Sequence, residues 1–493
     1  MKHRVGIIIV AFFVAVATLL VLESFLEARL FQAIVIVTLN LLVMGIGVVF
    51  RPTREMPIFC DPFVWVCAVL SQFFALAPII AFVQGFTILP FFTPPSPESM
   101  LLTLFAFLVM ITCFIVGHGV RLGIIVANLA PEFGPSPRKL PGWCVESAIL
   151  GASLLGCFSW LQGHGGLMGK LSAAYGSLHN PALYTIAHMA LLVGTFLTAW
   201  RVIHATRRRR RDTVFLLALL VFDGLFYGVL MGVRKYLLFL FFGTLTIWLL
   251  RRGVRALPKV RTAVVLVILL IFFSVWGAVR GTPVSVMLGW NTGIKYAGGP
   301  RQELSSGYLT AICDPFGGAC KVMEVFPDRE SFRHGRTLVF VALGFIPRAV
   351  WPDKPVGIGK EISRYWEGPY FKQTTGHSAA CTFLGELWVN FGWPGIVAGG
   401  FLLGVLCRSV TAYAVRGMKG GLQYRAARVL IPAVFIVGLG EVRADLAAMV
   451  GTWALAGVPL LVALSLSNMD GSAAPIEEVQ RPVVGLRGFE VRG

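Results

Sequence analysis

Residues 336–395 read RTLVFVALGFIPRAVWPDKPVGIGKEISRYWEGPYFKQTTGHSAACTFLGELWVNFGWPG, the one long stretch of the 493-residue chain that mixes many polar residues with aromatics. The remainder is mostly apolar, because 56% of all residues are hydrophobic, only 14% are charged, and the mean hydropathy is +0.77. A water-soluble domain of this size does not tolerate such a composition. The sequence therefore predicts an all-α polytopic membrane protein whose chemistry lies in this polar stretch.

Apolar windows of the length that crosses a bilayer recur along the chain. They predict about 12 transmembrane helices, of which those near residues 146, 236 and 429 are short. The predicted spans are 6–24, 31–50, 63–83, 101–120, 146–161, 183–203, 213–232, 236–250, 262–279, 394–412, 429–441 and 446–467.

Basic residues cluster in alternate loops between the predicted spans, so the clusters can all lie on one side of the membrane. The positive-inside tendency then puts both termini in the cytoplasm and residues 280–393 outside. The formal charge of +19 comes from these loops and not from a soluble basic domain, so no nucleic-acid partner is predicted. The predicted divisions are membrane helices over 1–279, a large outer loop with short helices and the candidate site over 280–393, membrane helices over 394–469, and a disordered cytoplasmic tail over 470–493.

Positive charges on the predicted outer side break this tendency and indicate an anion site. Arginine offers a planar fork of donors that holds phosphate oxygens in pairs and keeps its proton. As an alternative, outer arginines extend to lipid headgroups or pair with acids such as Asp353 or Glu361. The candidates for binding a diphosphate are Arg234, Lys235, Arg280, Arg348 in a proline-bounded turn, and Lys354 beside it.

His377 and Glu386 form a second candidate constellation in TTGHSAACTFLGELW. A histidine where a loop meets a helix is suited to removing a hydroxyl proton near neutral pH. Glu386 and Asp353 are the substitutes for that base, although Glu386 is equally explained by a helix cap or a hydrogen bond inside the bundle. Cys381, four residues after His377, is a weaker candidate nucleophile.

Three further features have both a structural and a functional interpretation. Cys313 and Cys320 are candidates for a disulfide if the compartment is oxidising. Asp223 lies inside a predicted span, where a carboxylate is costly and often functional. Glu441 and Asp445 lie near span ends, where an ordinary loop position explains them as well.

The segments MGVRKYLL, FIPRAVWPDKP and GHSAACTFLGELWVNFGWPG, with a long outer loop among them, resemble the bacterial O-antigen and exopolysaccharide repeat-unit polymerases of the Wzy type. The related O-antigen ligases share the general plan. The resemblance covers residues 213–412, and Arg348 with Gly359 fits the arginine-to-glycine spacing of that family's outer loops. Arg234 and Arg280 have no such following match.

The resemblance implies a metal-independent, inverting glycosyltransferase with a GT-C-like architecture and no cofactor, acting at the periplasmic face of the bacterial inner membrane. Its substrates would be polyprenyl-diphosphate-linked oligosaccharides, with membrane lipid and possible chain-length regulator and flippase proteins as partners. The arginines would hold the diphosphate and His377 would take the acceptor proton. Sugar faces would stack on Trp351, Tyr365, Trp366, Tyr370 and Phe371, which otherwise pack the loop onto the membrane interface.

Three alternatives stay open from the sequence. A ligase would use the same donor and pass the glycan to a lipid acceptor. A glycolipid flippase or other transporter would carry charged residues along a path inside the bundle, for which Asp223 is the main candidate. A scaffold protein would give Arg348 no particular role.

Overall fold

The computed structural model describes most of the chain as helices in one bundle. The described residues are 28–50, 56–84, 95–133, 139–163, 165–167, 182–205, 209–230, 234–252, 304–343, 358–367, 380–416, 426–444 and 446–469. The predicted spans at 6–24 and 262–279 and the predicted tail at 470–493 lie outside them.

Fifteen α-helices are described within these ranges. The first nine are α1 (Ala28–Phe50), α2 (Pro62–Ser71), α3 (Ala77–Gln84), α4 (Pro97–Gly119), α5 (Leu122–Leu129), α6 (Gly142–Gly163), α7 (Ala182–His204), α8 (Arg210–Leu225) and α9 (Arg234–Arg252). The last six are α10 (Leu304–Val325), α11 (Arg336–Leu343), α12 (Ile358–Glu367), α13 (Thr382–Val415), α14 (Ala426–Leu439) and α15 (Leu446–Leu466). π-helical turns follow α2 and α8, at Gln72–Leu76 and Phe226–Leu230.

Seven helices in the described ranges are long and apolar enough to cross a membrane. They are Gln32–Val49, Pro62–Ile80, Pro97–Gly119, Gly142–Gly163, Ile186–His204, Thr382–Val415 and Ala448–Leu466, with Lys235–Leu250 a shorter apolar helix. These lengths are consistent with an all-α multi-pass membrane protein. Twelve spans stay a prediction, although the helix predicted near residue 146 is longer than expected, at 22 residues.

Two large apolar clusters form the core. The first joins α2, α4, α10 and α13, and its aromatic centre is the stacked pair Phe74 and Phe107, with ring centroids 4.2 Å apart, met edge-on by Phe316. The second joins α7, α9, α14 and α15 around the fully buried Trp200. Helix α10, predicted as part of an outer loop, therefore packs into the bundle core because one of its faces is apolar.

Glycines let α4 and α13 approach to backbone contact. A Cβ on Gly400 would lie 2.5 Å from the Met110 carbonyl oxygen, and one on Gly404 would lie 2.8 Å from the His118 nitrogen and closer still to the Phe114 oxygen. Small residues four apart are a common device for such close packing in membranes. Because residue numbers rise together along the contact, the two helices run parallel.

Several basic residues predicted on the cytoplasmic side gather at one end of the bundle, here named the inner end. Arg201 donates two hydrogen bonds to the buried Glu146, at 2.7 and 3.1 Å, and Arg428 pairs with Glu132 at 3.3 Å. At the same end strand β1 (Leu140–Pro141) pairs in parallel with β2 (Ser467–Asn468). The opposite, outer end holds the first residues of α4, α9, α13 and α15.

Helix α13 differs from the predicted span at 394–412, because it begins 12 residues earlier, at Thr382. It consists of two segments, since Gly392 has non-helical angles (φ 59°, ψ −137°) and Pro394 lies in the first turn beyond. The end of the stretch predicted as outer loop is therefore helical. That loop also contains α10, whose 22 residues exceed the short helices expected there.

Candidate functional site

A group of polar side chains lies at the outer end, where α13, α15, α11 and α9 begin. We name it the outer cluster, and its members are Lys235, Thr337, Glu386, Asn390 and Glu441. Two of them, Lys235 and Glu386, are site residues predicted from the sequence. Lys235 and Glu386 come from distant parts of the chain, and the turn that holds Glu441, the partner of Lys235, contacts α13 at this end of the bundle.

Glu386 lies on the first segment of α13 and is almost fully buried, at 1% exposure. One carboxylate oxygen accepts a hydrogen bond from the Thr337 hydroxyl at 2.8 Å, and the other accepts from the backbone N–H of Leu446. Leu446 is the first residue of α15, where unpaired N–H groups and the helix dipole favour a negative charge. These contacts match the capping alternative for Glu386.

Asn390 lies one helical turn after Glu386 and links α13 to the segment before α11. Its side-chain nitrogen donates to the Thr337 hydroxyl at 2.7 Å and to the Glu386 carbonyl at 2.8 Å. Its side-chain oxygen accepts from the Gly335 N–H at 3.0 Å. The side-chain nitrogen and oxygen of Asn390 and the hydroxyl of Thr337 therefore all have hydrogen-bond partners, as burial in an apolar bundle requires.

The break in α13 is closed by the segment before α11. The N–H groups of Arg333 and His334 donate to the carbonyls of Val389 and Asn390, at 2.8 and 3.0 Å. These carbonyls lie at the end of the first segment of α13, where the last carbonyls of a helix commonly need a partner from outside it. His334 and Gly335 take the left-handed conformation, with φ of 45° and 84°, which turns the backbone toward the break. A discontinuous helix with paired backbone groups is typical of membrane proteins where polar groups are held at depth.

Lys235 and Glu441 form the charged part of the outer cluster. The Lys235 ammonium lies 2.6 Å from a Glu441 carboxylate oxygen, and the lysine side chain keeps 30% of its surface exposed while the glutamate keeps 2%. Lys235 is the second residue of α9, and Glu441 lies in the short turn Gly440–Arg443 between α14 and α15. Glu441 therefore lies between two helices, and it also pairs with a predicted site lysine.

Arg333 is a second outer cation that the sequence analysis missed. It pairs with Glu361 of α12 and with Glu330, the latter at 3.2 Å, and its guanidinium lies over the Phe326 ring, 5.3 Å from the centroid. Burial alone would lower the pKa of Arg333, but hydrogen bonds and charge from Glu361 and then Glu330 outweigh it and raise that pKa. Glu361, which the sequence analysis gave as an alternative partner for outer arginines, pairs with Arg333.

Most of the other predicted site residues are not placed by the structure. The backbone alone is described for Arg234, Tyr365 and Trp366. The residues outside the described ranges are Arg280, Arg348, Trp351, Asp353, Lys354, Tyr370, Phe371, His377 and Asp445. Among the described residues, no three His, Cys, Asp or Glu side chains are arranged to hold a metal ion.

The disulfide that the sequence left open between Cys313 and Cys320 is absent from the structure. Both are buried free thiols of α10. Seven residues of helix separate their Cα atoms by about 10 Å, beyond the reach of a disulfide. Cys381 is also buried, and its thiol lies 3.8 Å from the Ala444 carbonyl oxygen.

The residues that sequence reasoning missed are Thr337, Asn390 and Arg333. Asn390 had a visible signal, because it lies four residues after Glu386 and therefore on the same face of a helix. Thr337 had none, since its partners lie 49 and 53 residues away in the chain, and the partner of Arg333 on α12, Glu361, lies 28 residues away.

The fold and the outer cluster define an all-α membrane protein with a buried polar group at one end of its bundle. Comparisons with protein-family models, with curated proteins and with solved structures found no match.

Proposed function

We propose that this protein is a glycosyltransferase that polymerises polyprenyl-diphosphate-linked oligosaccharide repeat units into a surface polysaccharide. The sequence resemblance to Wzy-type polymerases is the basis of the proposal. The observation that supports it most is the partly exposed Lys235 at the outer end, whose partner Glu441 lies in a turn that contacts α13, the helix of the buried Glu386. A lipid-linked diphosphate needs cations at the end of the bundle where its sugars meet water.

In the proposed reaction, a sugar hydroxyl of one lipid-linked unit attacks the anomeric carbon of another. The carbon–oxygen bond to the diphosphate breaks, the configuration inverts, and His377 takes the hydroxyl proton. Arg348, with Arg234, Lys235, Arg280 and Lys354, neutralises the charge that develops on the leaving diphosphate, which is the largest electrostatic demand of the step. Trp351, Tyr365 and Trp366 hold the sugar faces. Asp353 replaces His377 if the histidine proves dispensable.

The contacts of Glu386 give it a positioning role in this scheme. Its two oxygens already accept hydrogen bonds from Thr337 and Leu446. A carboxylate with both oxygens engaged removes a proton from a third group less readily than a free one. We therefore assign Glu386 to holding α13, α11 and α15 in register, and His377 to the proton.

The first experiment compares lipid-linked and polymeric glycan from cells that lack the protein, that carry it, or that carry Arg348→Ala. Loss of one charge-stabilising donor costs on the order of 10²–10³ in rate, so single repeat units should accumulate while long polymer disappears. Arg329→Ala is the matched control, because Arg329 is an exposed arginine of the same predicted loop whose ion pair with Glu324 is at the surface. Unchanged glycan in every strain would refute glycosyl transfer, and long polymer retained on the lipid carrier would indicate a ligase.

A second experiment asks whether Lys235 serves the substrate or only its ion pair. Lys235→Gln removes the cation, whereas Glu441→Gln removes the pair and leaves the cation available. The proposal expects Lys235→Gln to lose most polymer per folded molecule and Glu441→Gln to keep it. Equal losses in both variants would reduce Lys235 to a structural role.

A further inference from the structure

Asp223 of α8 is a buried acid that the proposed reaction does not use. Its side chain has 0% exposure, and the apolar cluster around it includes Cys157, Leu191 and Phe226. One carboxyl oxygen, Oδ2, lies 2.6 Å from the Thr195 hydroxyl of α7. The other, Oδ1, is buried and has no hydrogen-bond partner among the described residues.

Thr195 links this acid to the backbone of α7. The Thr195 hydroxyl oxygen lies within hydrogen-bond distance of Asp223 Oδ2, at 2.6 Å, and of the Leu191 carbonyl oxygen, at 3.1 Å. A hydroxyl donates one hydrogen bond and can also accept, so these two contacts are compatible with a proton on Asp223. With a proton on Oδ2, Asp223 donates to Thr195 and Thr195 donates to Leu191, and both contacts are satisfied.

We infer that Asp223 is a proton-binding site inside the bundle, held as a neutral carboxylic acid that donates its hydrogen bond to Thr195. The inference is independent of the proposed glycosyl transfer. An isolated ionised carboxylate in an apolar setting is far costlier than a neutral one, which is why such groups bind a proton or a cationic partner.

Among the described residues of the surrounding helices, no cationic side chain pairs with Asp223. On α9, Lys235 pairs with Glu441, and on α7, Arg201 pairs with Glu146. Arg210, at the start of α8 itself, is about 20 Å away along the helix. The remaining groups are the neutral Cys157 thiol of α6 and the His188, Tyr227 and Tyr236 side chains, which contact one another.

A protonated acid in this position is a modification site for an apolar carbodiimide arriving from the lipid. The outward face of α8 is exposed, with Leu217 at 57% and Val221 at 62%. In the reaction the carboxyl oxygen bonds to the central carbon of the carbodiimide and its proton passes to a carbodiimide nitrogen. Acyl transfer from oxygen to nitrogen then gives a stable N-acylurea, so the whole reagent is retained and nothing leaves.

The test treats the full-length protein in lipid nanodiscs with dicyclohexylcarbodiimide at neutral pH and maps the label by peptide mass spectrometry. Glu146 is an internal control, because it is also buried but has a cationic partner, the Arg201 guanidinium, which donates two hydrogen bonds to it. The expected result is a retained reagent mass on Asp223 and none on Glu146. Label on Glu146 but not on Asp223, or equal label on both acids, would overturn the inference.

Infrared spectroscopy gives a second measurement that does not depend on access of a reagent. The difference between wild-type protein and Asp223→Asn should show the carbonyl band of a protonated carboxyl group, which shifts in D₂O and is lost in the variant. Asparagine keeps a donor toward Thr195, so the variant should fold. Loss of an ionised carboxylate band instead, with no carboxylic-acid band, would show that Asp223 is charged and refute the inference.

Discussion

Replacing Gly404 by alanine tests the close pairing of α4 and α13 directly. The added Cβ would lie 2.8 Å from the His118 nitrogen, and closer still to the Phe114 oxygen, whereas ordinary contacts begin at 3.4 Å. Both neighbouring atoms belong to the backbone of α4, so no side chain can rotate away and the helices must separate by more than half an ångström. Overpacking of this kind costs about 1–3 kcal/mol, and the backbone contact favours the upper end.

The opposing term is helix propensity, since glycine in a helix interior is about 1 kcal/mol less favourable than alanine. The net expectation for Gly404→Ala is therefore a loss of about 2 kcal/mol. Gly151→Ala in α6 is the matched control, because no atom lies within 4 Å of its Cβ position. It should gain from propensity alone, so the two variants should change stability in opposite directions.

The assay is the fraction of monodisperse protein that survives heating in detergent, measured by fluorescence-detected size exclusion. It reports a kinetic rather than an equilibrium stability, which suffices for comparing variants. Gly400→Ala should behave like Gly404→Ala, and the double variant should cost less than the sum, because one separation of the helices relieves both clashes. A Gly404→Ala protein as heat-resistant as Gly151→Ala would refute the close helix contact.

Two further predictions concern buried polar groups and thiols. Glu386→Gln should lower heat resistance by the equivalent of about 1–3 kcal/mol, because one of its two donors loses a charged acceptor; Glu98→Gln, at an exposed helix start, is the control, and equal losses would argue against the cap. Burial, aided by Asp314, raises the pKa of Cys313 to about 11, so the thiol stays protonated and unreactive near neutral pH. Neither Cys313 nor Cys320 should react with maleimide before unfolding, and a mobility shift on reduction would contradict their free state.

Helix positions were predictable from the sequence because apolar windows of spanning length are a local property. The span predicted at 394–412 begins just beyond the break in α13, and the ten residues before Gly392 form a helix of their own, to whose last carbonyls Arg333 and His334 donate. Those donors come from a segment more than 50 residues earlier. Local patterns carry no information about such a partner.

The candidate site was predictable only in part, because a local pattern can single out a residue but not its distant partners. Lys235 and Glu386 were predicted as site residues because they are charges in unusual positions, and the structure brings their segments to one end of the bundle. The Leu446 N–H that Glu386 caps is 60 residues further along the chain. Two glycines four residues apart, such as Gly400 and Gly404, indicate in general that some helix approaches closely, yet only the packing identifies α4 as that helix.

The parallel course of α4 and α13 also determines whether the chain between them crosses the bilayer an odd or an even number of times. Two membrane-crossing helices that run in the same direction both begin on one side and both end on the other. The chain that leaves α4 near Val120 must return to the starting side before Thr382, so it crosses the bilayer an odd number of times in between. A reporter fused after residue 120 and one fused after residue 381 should therefore report opposite compartments, however many helices the intervening chain contains.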